Sequence, residues 1–159
     1  MTMPISTRNR AGLLDDRGPV NEYLGIRLGA DAFAVPLASV REILVFPTLT
    51  RVPRAPRDVL GILSVRGRLV TVLDPRPKLR IAAVPPAKRS RVLLVPLPTG
   101  EVVGLYVDEV QSVHRFPSSE IEAAASVLGG TLTEHVLGIA RFEGEMIVLL
   151  DIGPLLSQR

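Results

Sequence analysis

The sequence has no cysteine and no tryptophan, and only four Phe and two Tyr occur among its 159 residues. Without cysteine, disulfides, thiolate zinc sites and cysteine nucleophiles are excluded. With so few aromatic side chains, platforms for stacking nucleic-acid bases or sugars are scarce. No apolar run approaches the roughly 20 residues of a membrane span, and the N terminus lacks the layout of a secretory signal peptide. We therefore expect a cytoplasmic protein with no direct membrane insertion.

Groups that could support catalysis or bind a metal are also few. The two histidines, His114 and His135, are not at metal-ligand spacing, and we interpret both as surface or loop residues. Asp108 and Glu109 are adjacent, so on a strand their carboxylates would point in different directions and would not converge as an acid and a base. Glycine-rich phosphate-binding signatures are absent from the sequence. The sequence therefore predicts a protein that is not an enzyme and that has no cofactor and no metal.

What the chain does contain is typical of a globular β protein. Hydrophobic residues make up 47% of the sequence and charged residues 22%, while fourteen Pro and thirteen Gly divide the chain into short pieces. The net charge is only +3, and the basic residues are scattered among proline-rich loops. This distribution does not indicate nucleic acid as a partner.

An internal repeat organises the chain. Gly61 to Asp74, GILSVRGRLVTVLD, recurs as GIARFEGEMIVLLD from Gly138 to Asp151, with a constant offset of 77 and five identities in fourteen positions. A weaker correspondence at an offset of 70 relates Phe33–Leu37 to Val103–Val107. We interpret the two halves as products of a duplication.

Each copy of the repeat has the pattern of a β-hairpin. The predicted tips are glycines between like charges, at Arg66-Gly67-Arg68 and at Glu143-Gly144-Glu145. The aspartates that end the two copies precede short predicted helices: Asp74 would cap one that starts at Pro75, and Asp151 would cap a terminal one.

Counting the predicted strands gives about five per half, which indicates an all-β protein built of two small barrels. Residues 1–19 are predicted to be a flexible arm, and Pro75 to Ser90 an exposed crossing between the halves. Pro47 to Pro56 is predicted to be an extended connection. An insertion within Pro117 to Glu134 is predicted to include a flexible loop from Ala123 to Gly130.

An ordered set of motifs runs along the chain and includes Val65-Arg66-Gly67, Val107-Asp108-Glu109-Val110 and Leu149-Leu150-Asp151. Over residues 20–157 this set resembles the CheW domain of bacterial chemosensory arrays. The resemblance implies two intertwined five-stranded SH3-like β-barrels around a shared core, with short helical turns and a short C-terminal helix. The first barrel would span roughly 30–85 and the second roughly 91–150, with terminal strands free to cross between the halves.

The resemblance also implies a function. The protein would be a non-enzymatic adaptor that couples chemoreceptors to a CheA-type histidine kinase. One surface of the first barrel would bind the regulatory domain of the kinase, and a groove near the junction of the barrels would bind the cytoplasmic tip of a methyl-accepting chemoreceptor. Other CheW-like proteins are further candidate partners, and no cofactor is expected.

Seven residues match family positions that are implied to bind partners. Glu42 and Arg66 would pair across the first barrel and orient its receptor-facing surface. The full set is Val40, Glu42, Gly61, Arg66, Gly67, Val107 and Asp108. Simpler explanations exist for most of them: a surface ion pair for Glu42 and Arg66, a core position for Val107, turn geometry for the glycines, and turn capping for Asp108.

The chain departs from the family pattern in places, and alternatives remain open. Ser64 stands where the family commonly has Asn, Pro75-Arg76-Pro77 follows the first repeat, and the Arg51 to Arg57 loop is unusually rich in arginine. A variant that binds only the kinase or only the receptor would fit these departures. A small β-barrel that binds nucleic acid or a ligand is a further alternative, and it would require aromatic residues clustered on one face.

Overall fold

A computed structural model describes residues 14–15, 18–124 and 134–157. Most of the predicted arm at 1–19 and of the predicted loop from Ala123 to Gly130 lies outside the described residues. Within the described part of the arm, Leu14 pairs with Pro19 and Asp15 with Gly18 in an antiparallel ladder. Regular structure therefore begins before residue 20, earlier than the predicted end of the arm.

Short strands dominate the described residues. They are β1 (Leu14–Asp15), β2 (Gly18–Leu28), β3 (Asp31–Pro36), β4 (Glu42–Val45), β5 (Val59–Val65), β6 (Arg68–Leu73), β7 (Arg91–Pro96), β8 (Val102–Val107), β9 (Glu109–Pro117), β10 (Val136–Phe142) and β11 (Glu145–Leu150). Two short helices follow the repeats, α1 (Arg76–Leu79) and α2 (Ile152–Leu156), and 3₁₀ turns lie at Leu37–Ser39 and Ser118–Glu120.

The strands form two sheets. The first barrel has the order β4-β7-β8-β6-β5, and the second has the order β1-β2-β3-β11-β10, with β9 also paired to β2. The predicted all-β class, with two intertwined five-stranded units, short helical turns and a short C-terminal helix, is confirmed.

Apart from the two-residue β1, each barrel combines two strands from one half of the sequence with three from the other. The parallel pairings β6 with β8 and β11 with β3 join the halves, and their registers correspond, with Thr71 opposite Val103 and Val148 opposite Phe33. The sheets therefore do not follow the predicted ranges of 30–85 and 91–150. The reason is that β8 adds to the free edge of β6, which brings the hairpin of β7 and β8 into the first barrel.

The charged hairpin tips have matching backbone conformations. Arg66 and Gly67 have φ of 49° and 80°, and Glu143 and Gly144 have φ of 51° and 79°. Two successive residues with positive φ are typical of a type I′ turn, whose twist suits a two-residue hairpin. The predicted hairpins are thus present in both copies.

A shared apolar core lies between the barrels. It includes side chains of the first barrel, of the second barrel and of α2, among them Leu73, Leu93, Leu105, Leu24, Ile26, Phe33, Leu155 and Leu156. Smaller clusters fill the individual barrels. In the first barrel, Gly104 leaves the space that the Val92 side chain occupies, since a Cβ at Gly104 would lie 2.7 Å from Val92 Cγ1.

Three local predictions need correction. His114 and His135 are both buried: His114 lies on β9 against the rings of Phe116 and Phe142, and His135 directly precedes β10. Helix α1 begins at Arg76, one residue later than predicted, although the carboxylate of Asp74 does accept the Arg76 N–H at 2.9 Å. Asp151 precedes α2 without a capping bond from its side chain.

The predicted extended connection from Pro47 to Pro56 also differs, since it contains a turn. The turn closes where the Ala55 N–H donates to the Val52 carbonyl. Proline at the second turn position favours this bend over an extended chain, and Arg54 at the third position has a left-handed conformation, with φ of 60°.

Candidate functional site

The predicted ion pair between Glu42 and Arg66 is present on the first barrel. Glu42 opens β4, and Arg66 lies at the tip between β5 and β6. Both terminal nitrogens of the guanidinium face the carboxylate: Nη2 pairs with Oε1, and Nη1 lies 3.4 Å from Oε2. Because the tip is a tight turn, the Arg66 backbone is held while its side chain remains 69% exposed.

This pairing changes the protonation equilibria of both groups. The hydrogen bond from Arg66 lowers the pKa of Glu42, and the same bond raises the pKa of Arg66. The pair therefore remains charged at neutral pH. Solvent screening limits what it adds to stability, so its main structural effect is to fix the orientation of an exposed guanidinium.

A groove of about 280 Å³ lies beside the Arg66 tip. Its lining combines charged residues with apolar ones, including Val65, Leu69 and Val102. The side chain of Leu69 is 77% exposed, and Ile43 and Val45 on β4 are exposed as well. Exposed aliphatic side chains next to a fixed arginine are characteristic of surfaces that bind other proteins.

The remaining predicted residues of the first barrel are divided between surface and interior. Gly67 is exposed and adjoins Arg66 at the tip. Val40 is partly buried and packs against the shared core. Gly61 is buried, and a Cβ there would lie 2.7 Å from the Thr50 carbonyl oxygen. Packing within the barrel is therefore sufficient to explain Gly61.

The last two predicted residues lie elsewhere, between the barrels. The Val107 side chain is fully buried in the shared core, where a partner cannot contact it. Asp108 accepts the Gly29 N–H at 2.6 Å and forms an ion pair with Arg76. The structure thus brings together Glu42, Arg66 and Gly67, and it separates Val107 and Asp108 from them.

Arg76 is a central residue that the sequence interpretation missed. Its side chain is completely buried, with Nη1 3.0 Å from Asp74 Oδ1 and Nη2 paired with Asp108 Oδ1. The guanidinium carbon lies 4.4 Å from the centre of the Tyr106 ring. Burial acts to lower the pKa of Arg76, but hydrogen bonds to Asp108 and Asp74 outweigh it and raise the pKa.

This cluster connects the two barrels. Asp74 and Arg76 follow β6 of the first barrel, and Asp108 lies between β8 and β9 and holds the turn between β2 and β3 through Gly29. A sequence signal was available, since an aspartate at the end of a buried strand needs a partner and Arg76 is two residues away. That signal did not distinguish a buried arginine from an exposed one in a proline-rich connection.

The described residues also bear on metal binding, membrane insertion and nucleic-acid binding. Among them, no group of three or more His, Cys, Asp or Glu side chains could hold a metal ion. The described helices are also too short or too polar to span a membrane. All six aromatic residues are described, and Phe142 is the single exposed one, so the clustered aromatic face that nucleic-acid binding would require is absent from this part of the chain.

Comparisons with known proteins agree with this geometry. A family profile described as a CheW-like domain matches residues 22–159. The chain is 30% identical to the chemotaxis protein CheW of Rhizobium meliloti (strain 1021), covering 82% of this chain and 84% of that protein. It is 33% identical to protein FrzA of Myxococcus xanthus, covering 87% of both.

A solved structure shares the fold at similar coverage. The scaffolding protein TtCheW from Thermoanaerobacter tengcongensis superposes with a TM-score of 0.77 at 25% identity, over 86% of this chain and 88% of that one. The intertwined sheets, the duplicated hairpins and the extent of these matches lead to one conclusion: this chain belongs to the CheW-like domain family.

Proposed function

We propose that this protein is a non-enzymatic adaptor that couples chemoreceptors to a CheA-type histidine kinase in a chemosensory array, acting in the cytoplasm. The observation that carries the proposal is its similarity, over more than four-fifths of both chains, to a chemotaxis protein CheW. The TM-score of 0.77 to a protein described as a scaffold supports the same function. An adaptor needs shaped surfaces and a rigid core, and both are present.

The Arg66 tip supplies the first of these surfaces. Glu42 holds the guanidinium, Gly67 leaves the tip open to a partner backbone, and Leu69 presents apolar area beside them. Arginine is enriched at the centres of protein interfaces, and the exposed apolar area of Leu69 would be desolvated when a partner binds. In this proposal Val40 supports β4 from beneath and contributes at the edge of the surface.

The junction of the barrels supplies a second surface, suited to the receptor tip. A cavity of about 490 Å³ lies there, with apolar lining residues that include Phe33, Leu79, Ile81, Met146 and Val148. Met146 is 39% exposed. A helical hairpin presents an apolar stripe that fits such a groove, and flexible methionine adapts to it. Val107 and Asp108 lie beneath this junction, so we assign them the role of positioning it.

Affinity capture with the full-length chain as bait tests the proposal. The captured proteins from the source cells are identified by mass spectrometry for the wild type, for Arg66→Glu and for a matched control, Arg89→Glu. Arg89 is highly exposed and lies outside the groove. Arg89→Glu therefore makes the same charge reversal at a position where no partner contact is proposed. We expect the wild type and the control to retain a histidine kinase and a chemoreceptor, and Arg66→Glu to retain less of at least one of them.

The same experiment can contradict the proposal at two levels. Equal capture by the wild type and a folded Arg66→Glu variant would show that Arg66 does not contribute to partner binding. Capture of neither a kinase nor a receptor by the wild type would contradict the adaptor function itself. Capture of the kinase alone would indicate a specialised protein with a single partner.

A further inference from the structure

A second feature of the first barrel is a loop with three arginines, which we call the arginine loop and define as residues 51–57, RVPRAPR. Its backbone bends where the Ala55 N–H donates to the Val52 carbonyl at 3.3 Å, and a second turn follows where the Val59 N–H donates to the Pro56 carbonyl at 3.0 Å. Arg54 lies in the first turn with φ of 60°. Glycine or asparagine is the usual residue at such a position, so turn geometry does not explain an arginine there.

The ends of the arginine loop are fixed to the barrel. Thr50 and Ile62 exchange two backbone hydrogen bonds, at 2.9 and 2.8 Å, and the Asp74 N–H donates to the Asp58 carbonyl at 2.7 Å. The Asp58 carboxylate is 3.8 Å from the ammonium group of Lys78. The nearest acidic residue in sequence is therefore already engaged, and the loop is held in shape before any partner arrives.

The three guanidiniums have no acidic partner within the part of the chain that the structure describes. Arg51, Arg54 and Arg57 are all exposed, and none of them takes part in an ion pair with a described residue. The loop holds three arginines and no Asp or Glu, so it presents a local positive field. Such a field attracts a negatively charged partner from a distance and accelerates its association.

The three arginines converge on one concavity of about 550 Å³. Its lining also includes apolar side chains, among them Val52, Val59 and Leu60. Guanidiniums bind carboxylates with two parallel hydrogen bonds, and an aliphatic floor accepts an aliphatic side chain. No aromatic side chain lines this concavity, so a nucleotide base would have nothing to stack on.

We propose that the arginine loop binds an acidic peptide segment of a partner protein, with Arg51, Arg54 and Arg57 pairing with its carboxylates and the apolar floor receiving an aliphatic side chain between them. The site shares no lining residue with the groove beside Arg66. It does not depend on the kinase or the receptor proposed above, because the chemistry of the segment defines the partner.

Fluorescence anisotropy with a labelled peptide of sequence EEVEELEE tests the site on the full-length chain. The comparison peptide QQVQQLQQ keeps the length and removes the carboxylates. We expect saturable binding of the acidic peptide at low salt, weakened at high salt, and no binding of the neutral one. The double variant Arg54→Glu/Arg57→Glu should lose at least about tenfold in affinity, since two charge-assisted contacts are reversed.

A matched control distinguishes binding at the arginine loop from a general effect of the positive charge of the protein. Lys88→Glu/Arg89→Glu reverses the same two charges at exposed positions outside the concavity and should lose less than about threefold. Circular dichroism establishes that each variant is folded. Arg54→Gln/Arg57→Gln, which removes the charges without reversing them, should reproduce the loss.

Four outcomes would overturn the proposal. The first is equal loss in the loop variant and in the control, and the second is no binding of the acidic peptide by the wild type. The third is tighter binding of a short oligothymidylate than of the peptide, which would make the loop a nucleic-acid contact. The fourth is self-association that the loop variant abolishes, measured by sedimentation velocity, which would make a second copy the occupant.

Discussion

Replacing Arg76 with alanine should destabilise the protein severely. The side chain is fully buried, while the side chains of Asp74 and Asp108 are only 8% and 22% exposed. Removing the guanidinium leaves two carboxylates facing each other across a cavity, and it also removes the contact with the Tyr106 ring. Breaking a buried ion pair on one side costs about 3–5 kcal/mol. That loss is a large part of the roughly 5–15 kcal/mol that stabilises a typical domain.

Equilibrium unfolding in urea measures this loss. With a slope near 2 kcal/mol per molar urea, the midpoint of Arg76→Ala should fall by about 1.5–2.5 M relative to the wild type. Arg76→Lys retains a charge but cannot hold both carboxylates through a planar fork, so its midpoint should lie between the two. Arg89→Ala serves as the control. Its free energy of unfolding should change by less than about 0.5 kcal/mol because Arg89 is exposed.

A triple variant tests the cause of the loss and not only its size. If uncompensated charge is responsible, Arg76→Met combined with Asp74→Asn and Asp108→Asn should recover a substantial part of the stability lost in Arg76→Ala. A midpoint for Arg76→Ala within error of the wild type would refute the reasoning. If the triple variant were as unstable as Arg76→Ala, lost packing volume and not uncompensated charge would be the main cause of the destabilisation.

Three further predictions concern other parts of the molecule. Burial lowers the pKa of His114 below 6.5, and Glu143 and Glu145 oppose the shift. The contribution of neutral His114 to stability is therefore present above about pH 6.5 and is lost as the pH falls toward the pKa in the folded protein. In urea unfolding between about pH 7 and pH 5.5, the free energy of unfolding should depend less on pH in His114→Phe than in the wild type. Gly138→Ala should cost about 1–3 kcal/mol in thermal unfolding, because the new Cβ would lie 2.5 Å from a side-chain carbon of Ile121. By NMR titration, the pKa of Glu42 should lie below 4.5 in the wild type and return toward 4.5 in Arg66→Ala.

The hairpins and the duplication were predictable because their causes are local. Gly67 and Gly144 accept the positive φ that a two-residue type I′ turn requires, and each is flanked by apolar strand sequence. The alternation of apolar residues then defines the flanking strands. Equivalent bulges, between Val59 and Gly61 and between Val136 and Gly138, follow from the same repeated sequence. A family resemblance added the intertwined arrangement, which local patterns alone did not provide.

Sheet membership and buried polar groups were not predictable in this way, because they depend on contacts between distant segments. The parallel pairing of β6 with β8 has no short-range signal, so the hairpin of β7 and β8 was assigned to the wrong barrel. His114 reads as a polar residue at a strand end, yet it packs between the rings of Phe116 and Phe142. Arg76 lies in a segment rich in Pro, Lys and Arg, so its sequence context predicts an exposed side chain. It is buried because the fold places Asp108 and Tyr106 against it.

The position of Asp108 explains why a motif can identify a family without marking a contact surface. Its carboxylate joins Arg76 of the first barrel to the Gly29 turn of the second, so it fixes how the barrels meet. The cavity at their junction takes its lining from both sides of that meeting, from Leu79 and Ile81 on one side and from β3 and β11 on the other. A substitution at Asp108 would therefore change the shape of that cavity, although Asp108 is not among its lining residues.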